Sequence, residues 1–254
     1  MTNSEKYRFD DFTFANYRRL LQLAKDRGFE FILHKDEYRP ETKQIIWRHD
    51  VEFEPDIALK MAQIEAEEDV KATYFFQLHS PYYNLFDEHY TKVFHEIVKL
   101  GHHPGLHFDC RYWGVNSEKE LSEFIVMDRE YMERALSTII DTFSFHNTTP
   151  FTQNCLAPEY GGLINVYSDY FKRNFSYCGD SLGYWRFDRL EEVLNDDSVS
   201  HLQVLTHDAN WSDVPLSPRK RFAETMVRHA HRLIEEQVEG LHAKGLLCPD
   251  DNLD

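Results

Sequence analysis

The chain of 254 residues is 42% hydrophobic and 15% aromatic, a composition typical of a globular protein and not of a disordered one. Its formal net charge of −16 disfavours nucleic acids and anionic membranes as main partners, because both are bound through basic surfaces. A divalent metal ion and a neutral or cationic substrate remain compatible with this charge.

The first ten residues are polar, and no apolar run is long enough to cross a bilayer, so we expect no membrane span and a cytoplasmic location. Cys110, Cys155, Cys178 and Cys248 form no CxxC pair, which favours a reducing compartment over a disulfide framework.

Predicted helices and strands alternate along the first half of the chain. Residues 14–27 are expected to form an amphipathic helix, because apolar residues recur at helical spacing before Gly28. Further elements are predicted in this order: strand 29–33, strand 45–50, helix 56–68, strand 71–78, helix 87–100 and strand 103–108.

The second half continues the alternation. Ser117 with Glu120 three residues later is a capping-box pattern that opens a helix to Leu136. The following elements are then expected: strand 143–146, a loop over 148–162, strand 175–178, strand 201–206, helix 218–244 and an acidic tail from Pro249.

This alternation predicts right-handed βαβ units, a parallel sheet and one α/β domain over residues 1–254. Polar side chains follow about five of the strands, which favours a barrel with one functional rim. An open doubly wound sheet is the alternative. Neither GxGxxG nor GxxxxGK[ST] follows the first strand, so a nucleotide-binding fold is disfavoured.

Asp50 ends the predicted strand 45–50, and Glu52 follows two residues later. Two carboxylates at this spacing can share a divalent cation, or one can bind the cation while the other acts as a base. A helix cap with an ion pair to Arg48 is the structural alternative. His107 and Asp109 would project from one face of a strand and complete a nitrogen and oxygen site for Zn, Ni, Co, Mn or Fe. A buried hydrogen bond between them is the alternative.

Three later strands deliver similar groups: His146 with Asn147, Asp180 near Trp185 and Arg186, and His207 near Trp211. Over about residues 45–211, the order of motifs resembles the polysaccharide deacetylase superfamily, also described as the NodB-homology or carbohydrate esterase family 4 fold. Residues 48–52 are similar to the family motif TFDD. Residues 101–107 are similar to the family motif GHEIGNHTxxH. RxPY is replaced by residues 145–147, and the last two motifs resemble 180–185 and the LxH at 205–207.

The resemblance implies an irregular, incomplete (β/α) barrel and a metal-dependent hydrolase that removes an acetyl or formyl group from an amino sugar in bacterial surface-polysaccharide biosynthesis. One divalent ion is expected, with zinc first and Ni, Co, Mn or Fe as alternatives. Glu52 and His107 would be ligands. Arg111 stands where the family has its second metal histidine, so Asp109 or His146 would supply the missing ligand.

By the same resemblance Asp50 is the base, although it and Glu52 are interchangeable at this level, and His207 is the acid. Arg48 or Arg111 would replace the RxPY arginine. The substrate would be an amino sugar, either a glycan or a nucleotide- or lipid-linked precursor. Its expected contacts are Arg48, His49, Arg111, Asn147, Asp180, Trp185, Arg186 and Trp211. A degenerate sugar-binding or nucleotide-sugar-binding protein, or a metal-independent hydrolase of a small cyclic amide, are the alternatives.

Overall fold

The computed structural model of the protein describes residues 2–246, so Cys248 and the predicted tail from Pro249 lie outside the described residues. The helices and strands follow in this order: α1 Asn3–Tyr7, α2 Phe14–Asp26, β1 Glu30–Ile32, β2 Gln44–Val51, α3 Pro55–Glu67, β3 Thr73–Phe76, α4 Glu88–Lys99, β4 His103–Phe108, α5 Cys110–Trp113, α6 Glu118–Leu136, β5 Thr142–Phe145, β6 Glu159–Tyr160, β7 Leu163–Asn165, α7 Asp169–Asn174, β8 Ser176–Gly179, α8 Leu190–Asn195, β9 His201–His207 and α9 Pro218–His242.

The strands of the described part form one sheet in the order β6-β7-β5-β4-β3-β2-β9-β8, and β1 pairs with β2 outside this path. Neighbouring strands are parallel except in the β6–β7 pair. The sheet curls into a half-barrel, with β6 and β8 at its two ends. The predicted irregular, incomplete (β/α) barrel is therefore confirmed.

Strand β2 is the centre of this sheet. It pairs with β9 from Gln44 to Asp50 along one side, whereas β1 and β3 share its other side. All eight of its residues are buried, as the apolar start of the strand predicts. Because side chains alternate along a strand, Arg48 and Asp50 face the concave side of the half-barrel while His49 faces the helices.

The helices pack on the outer, convex side of the sheet. The main hydrophobic core lies between the sheet and helices α2, α3, α4 and α6. A smaller apolar cluster consists of Ile32, Ile46, Phe171 and Phe175. Phe171 and Phe175 also line the large cleft of the protein, so this cluster lies on the concave side.

A buried polar network on the helix side holds β2 in place. Glu65 of α3 lies 2.7 Å from His49 Nε2, and its carboxylate also accepts hydrogen bonds from Tyr74, at 2.6 Å, and from Tyr17. Burial alone would raise the pKa of Glu65, but His49 and His102 lower it, so the carboxylate stays ionised. His49 is thus turned away from the concave side, and the expectation that it contacts substrate is wrong.

The region predicted as a loop, 148–162, contains the start of a small hairpin. Strands β6 and β7 are two and three residues long, and Gly161 and Gly162 turn the chain between them with positive φ angles. Segments this short carry no hydrophobic periodicity, although the adjacent glycines are a hairpin signal. No helix within residues 2–246 has the length and apolar composition needed to span a bilayer.

We expect Gly105→Ala to destabilise the protein. A Cβ atom at Gly105 of β4 would lie 2.4 Å from Cδ1 of the buried Phe75 ring and 3.2 Å from the Thr142 carbonyl oxygen. Overpacking of this kind costs about 1–3 kcal/mol, measurable as the free energy of unfolding in denaturant.

Gly240→Ala in α9 is the matched control, because a Cβ atom there meets nothing within 4 Å. This substitution is expected to leave stability unchanged or to raise it by about 0.5–1 kcal/mol. Equal stability of the two variants would contradict the proposed conflict with Phe75.

Candidate metal centre and cleft

Polar side chains from several strand ends meet on the concave side of the sheet. Asp50 on β2 is the direct register partner of His207 on β9, and His107 on β4 is the partner of Ser144 on β5. In parallel strands, side chains at the same register position point to the same face. The register therefore brings these groups to one rim, the carboxyl end of the strands, where ligands bind in such folds.

Glu52, His107 and His146 form a compact cluster. Glu52 Oε1 lies 3.0 Å from His107 Nε2 and 2.7 Å from His146 Nδ1, and these two nitrogens are 3.2 Å apart. Within residues 2–246 they are the one group of three or more His, Cys, Asp or Glu whose donor atoms all lie within 4.8 Å of one another. Two imidazoles with one carboxylate suit zinc and similar divalent ions, so these residues fit a metal.

A hydrogen-bonded chain orients His107. Its Nδ1 lies 2.7 Å from Ser144 Oγ, and that hydroxyl donates to Asp50 Oδ1 at 3.2 Å. Ser144 therefore accepts the Nδ1 proton of His107, which leaves Nε2 with a free electron pair towards the cluster. His107 is presented in the tautomer that a metal ligand requires.

His146 enters the cluster from the segment that follows β5. Its backbone N–H donates to the Phe108 carbonyl oxygen at 2.9 Å, which continues the pairing of β5 with β4. The Asn147 side-chain amide lies 2.6 Å from His146 Nε2. The atom at this distance is the amide nitrogen Nδ2, which donates to an unprotonated Nε2. When Nδ1 instead binds a metal, Nε2 carries the proton, and a half-turn of the Asn147 amide brings its oxygen into position to accept that proton. Asn147 thus positions His146, besides lining the cleft.

Asp109 does not join the cluster. Its carboxylate accepts the backbone N–H groups of Arg111, at 2.9 Å, and Tyr112, at 3.3 Å, and so caps the short helix α5. The chain turns into this helix directly after β4, which directs Asp109 to the helix end. Of the two residues expected to supply the third ligand, the structure places His146 in the cluster.

Arg48, and not Arg111, lies beside Asp50. The fully buried guanidinium places Nη1 3.8 Å from Asp50 Oδ1 and donates from Nη2 to the Tyr167 hydroxyl at 3.1 Å. Burial alone would lower the pKa of Arg48, but the Asp50 carboxylate helps to raise it above its usual value. Arg48 therefore stays cationic and places a buried positive charge beside Asp50. Arg111 is exposed and lines the cleft.

Asp180 holds His207. Its carboxylate lies 2.6 Å from His207 Nδ1 and accepts the His207 backbone N–H at 3.1 Å and the Trp211 indole N–H at 3.2 Å. Burial by itself would lower the pKa of His207, but the Asp180 carboxylate raises it to about 10. His207 is therefore an imidazolium at neutral pH, with a proton available for donation.

The two tryptophans expected to wall the cleft do not line it. Trp211 is only 1% exposed and packs against Phe12 and Tyr17 behind Asp180, and Trp185 packs against Phe12 and Trp211. Asp180 is fully buried, so its contact is with His207 and not with a molecule in the cleft. Aromatic side chains do line the cleft, from other positions: Phe53, Tyr82, Phe145, Tyr167, Phe171, Phe175, Tyr177, Phe187 and Phe222.

Asp208 is a structural element of the site that stands beside His207 in the sequence without a predicted role. Its buried carboxylate accepts the backbone N–H groups of Glu52, at 3.3 Å, Phe53, at 3.0 Å, and Glu54. These bonds fix the turn between β2 and α3, which carries the Glu52 ligand. Its place directly after the LxH motif was the available sequence signal.

A cleft of about 1060 Å³ opens over these residues and is lined by Asp50, Glu52, His146 and His207. Arg111, Lys172 and Arg186 also line it. The Arg186 guanidinium stacks on Phe187 at 5.1 Å from the ring centroid. Three cationic side chains therefore line the cleft beside the carboxylates of Asp50 and Glu52, in a protein whose net charge is −16.

Comparisons with known proteins return structural matches alone. No protein-family model and no curated protein sequence matches the chain. Solved structures with a similar course of the main chain include a family 4 carbohydrate esterase from Bacillus anthracis, with 12% identity, a TM-score of 0.47 and coverage of 82% of this chain and 85% of that one. A chitin deacetylase from the fungal pathogen Colletotrichum lindemuthianum has 15% identity, a TM-score of 0.43 and coverage of 78% and 86%.

A further match is a mutant, with restored enzymatic activity, of a CE4 family pseudoenzyme from Bacillus anthracis. It has 14% identity and a TM-score of 0.42, and the alignment covers 77% of this chain and 65% of the pseudoenzyme. The family that the order of motifs resembles is thus found among the structural matches. At these identities no residue role is transferred, and the chemistry rests on the side chains of this chain.

We expect the wild-type protein to take up about one zinc ion per chain and to lose it in His107→Ala and in His146→Ala, because each substitution removes one of three donor atoms. Elemental analysis after zinc loading and desalting measures this. Asp109→Asn is the matched control: asparagine also caps a helix, so this variant should keep its zinc. Zinc lost from Asp109→Asn but retained by His146→Ala would reverse the ligand assignment.

We expect His207 to remain protonated through neutral pH and to titrate towards its raised pKa of about 10. A raised pKa means that the His207–Asp180 pair stabilises the fold fully below pH of about 6.5, and that this contribution is lost as pH rises through the folded-state pKa. NMR of the histidine ring protons, assigned with His207→Gln, measures the titration. In Asp180→Asn the pKa should fall towards the ordinary range, and a wild-type midpoint near 6.5 would contradict the assignment.

Proposed function

We propose that the chain is a single-domain, metal-dependent N-deacylase that hydrolyses the acetyl or formyl amide of an amino sugar. One observation carries this proposal: the Glu52, His107 and His146 cluster shares a cleft with a carboxylate, Asp50, and an imidazolium, His207. Amide hydrolysis needs these parts, since a water must lose a proton and the leaving nitrogen must gain one.

The protonation states divide the two roles. His207 carries a proton at neutral pH because its pKa is raised to about 10, so it serves as the acid and not as the base. Asp50 lies at the register-paired position on the neighbouring strand and is buried beside the Arg48 cation. Asp50 is therefore the group that accepts a proton.

A divalent ion bound by Glu52, His107 and His146 would lower the pKa of a water molecule and polarise the acyl carbonyl group. Asp50 takes a proton from the attacking water as its oxygen bonds to the acyl carbon. His207 gives a proton to the amide nitrogen as the carbon–nitrogen bond breaks. The immediate products are a carboxylic acid and the free amine of the sugar, and the acid then gives its remaining proton to the amine. The proton held by Asp50 returns to His207 through solvent, which restores both groups.

The cleft lining supports a substrate with a sugar ring and an anionic group. Phe145, Tyr167 and Tyr177 offer apolar surfaces to a ring, in place of the expected tryptophans. Arg111 and Arg186 supply guanidinium groups that bind phosphate oxygens. We propose a phosphate-bearing amino sugar, nucleotide-linked or lipid-linked, as used in the assembly of a bacterial surface polysaccharide, and a cytoplasmic site of action.

We expect the zinc-loaded protein to release free amine from N-acetyl or N-formyl amino sugars, and to act more efficiently on sugar phosphates and nucleoside-diphosphate sugars than on unphosphorylated sugars. The preference should fall with added salt, because exposed charges are screened. Asp50→Asn should lower kcat by about 100-fold or more with unchanged zinc content, since it removes the general base. Amine release measured by fluorescent labelling, with and without chelator, tests these points.

Other outcomes would replace the proposal. Turnover that survives complete zinc removal would indicate a metal-independent hydrolase. Sugar-phosphate binding without turnover by the zinc-loaded protein would indicate a binding protein with a degenerate site. Full activity of Asp50→Asn would contradict the base assignment alone.

A further inference from the structure

Gln77, which directly follows β3, has no hydrogen-bond partner for either end of its side chain among the described residues. It is only 1% exposed, and it lines the cleft. A buried amide without partners destabilises the folded protein relative to an apolar side chain of similar shape. This cost needs an explanation that the folded protein alone does not provide.

The strand register places Gln77 at the level of the metal-binding cluster. Val51, Phe76 and Leu106 are register partners across β2, β3 and β4. The next residue along the chain is Glu52 after β2, Gln77 after β3 and His107 within β4. Gln77 therefore follows β3, the strand that lies between β2 and β4, which supply Glu52 and His107. Phe75, two residues before Gln77, faces the same concave side of the sheet.

Other buried glutamines of the protein are satisfied. Gln44, with no exposed surface, accepts the Arg39 backbone N–H at 2.8 Å and donates to the Glu37 carbonyl oxygen at 3.0 Å. Gln203 lies 3.1 Å from His34 Nε2 through its side-chain oxygen. The unpaired state of Gln77 is thus a property of its position and not of glutamine in this fold.

The backbone at Gln77 is held independently of its side chain. The backbone N–H of Gln77 donates to the Tyr83 hydroxyl at 2.9 Å, and that hydroxyl donates to the Val51 carbonyl oxygen at 2.8 Å. Tyr83 therefore ties the ends of β2 and β3 together. The side-chain amide is presented at a fixed place without contributing a hydrogen bond to the structure around it.

We propose that Gln77 is a further catalytic residue, whose side-chain N–H donates to the oxygen of the acyl carbonyl group as negative charge develops on it. The inference rests on the proposed function. A preorganised donor in a water-poor site stabilises such an oxyanion without reorganisation. The amide offers a donor and an acceptor, which matches the C=O and N–H of an N-acyl group.

Three variants and one small probe test the assignment. Gln77→Met keeps the size of the side chain and removes its amide, Gln77→Glu keeps the shape and removes the donor, and Gln44→Met is the matched control on a satisfied amide. The probe is acetate, the acyl product, titrated by calorimetry into zinc-loaded protein. Denaturant midpoints are measured on zinc-free protein.

Gln77→Met should take up zinc as the wild type does, bind acetate about tenfold more weakly, and unfold at an equal or higher midpoint, because no hydrogen bond is lost. Gln77→Glu should bind acetate more weakly still, since a carboxylate repels the probe. Gln44→Met should unfold at a lower midpoint with unchanged acetate affinity. On an active substrate, Gln77→Met should lower kcat by about 100-fold with little change in KM.

Wild-type acetate affinity in Gln77→Met would overturn the proposal, and so would loss of zinc or a fall in midpoint similar to that of Gln44→Met. Failure of the proposed function gives different results: either the wild type takes up no zinc, or it takes up zinc without turnover while the acetate comparison still tests Gln77. If no zinc is taken up, the unfolding midpoints decide. In that case an equal or higher midpoint for Gln77→Met supports an amide reserved for a ligand, and a lower midpoint overturns it.

Discussion

The register of β2 against its neighbours is the constraint on which the site depends. It pairs Asp50 with His207 on one side, and on the other it aligns Glu52 with Gln77, which follows β3, and with His107 of β4. Because side chains alternate, a slip of one residue would turn Asp50 towards the helices and His49 into the cleft. The proposed base, the proposed acid and the candidate metal ligands thus share one geometric requirement.

Buried charged groups with polar partners close by hold β2 in this register. On the concave side Arg48 lies beside Asp50, and on the helix side Glu65 pairs with His49. Removing one member of such a pair leaves an unpaired buried charge, which is costly. The network around Glu65 joins β2 to α2, α3 and β3. These hydrogen bonds lie on the helix side of the sheet and keep the concave face of β2 turned towards the cleft.

The candidate metal-binding cluster combines residues from three separate strand ends. Arg111 occupies the position four residues after His107, where the family that the motifs resemble has a second histidine, and it belongs to the short helix α5. His146 approaches from the adjacent strand β5 and brings its Nδ1 to within 3.2 Å of His107 Nε2. The third donor atom of the cluster thus comes from the end of the neighbouring strand β5, whereas Arg111 lines the cleft.

The sequence by itself determined the alternation of helices and strands, the position of β2, and the candidate roles of Asp50, Glu52 and His207. The helices and strands follow from local signals: apolar runs, residues that end helices, and polar groups directly after strands. The candidate roles follow from the order of the motifs and the family that this order resembles. Only the tertiary structure decided that His146 and not Asp109 joins the cluster, that His49 faces the helices, and that Gln77 has an unpaired amide. These outcomes depend on which atoms meet when separate strands align, and residues far apart in the chain carry no local signal of that distance.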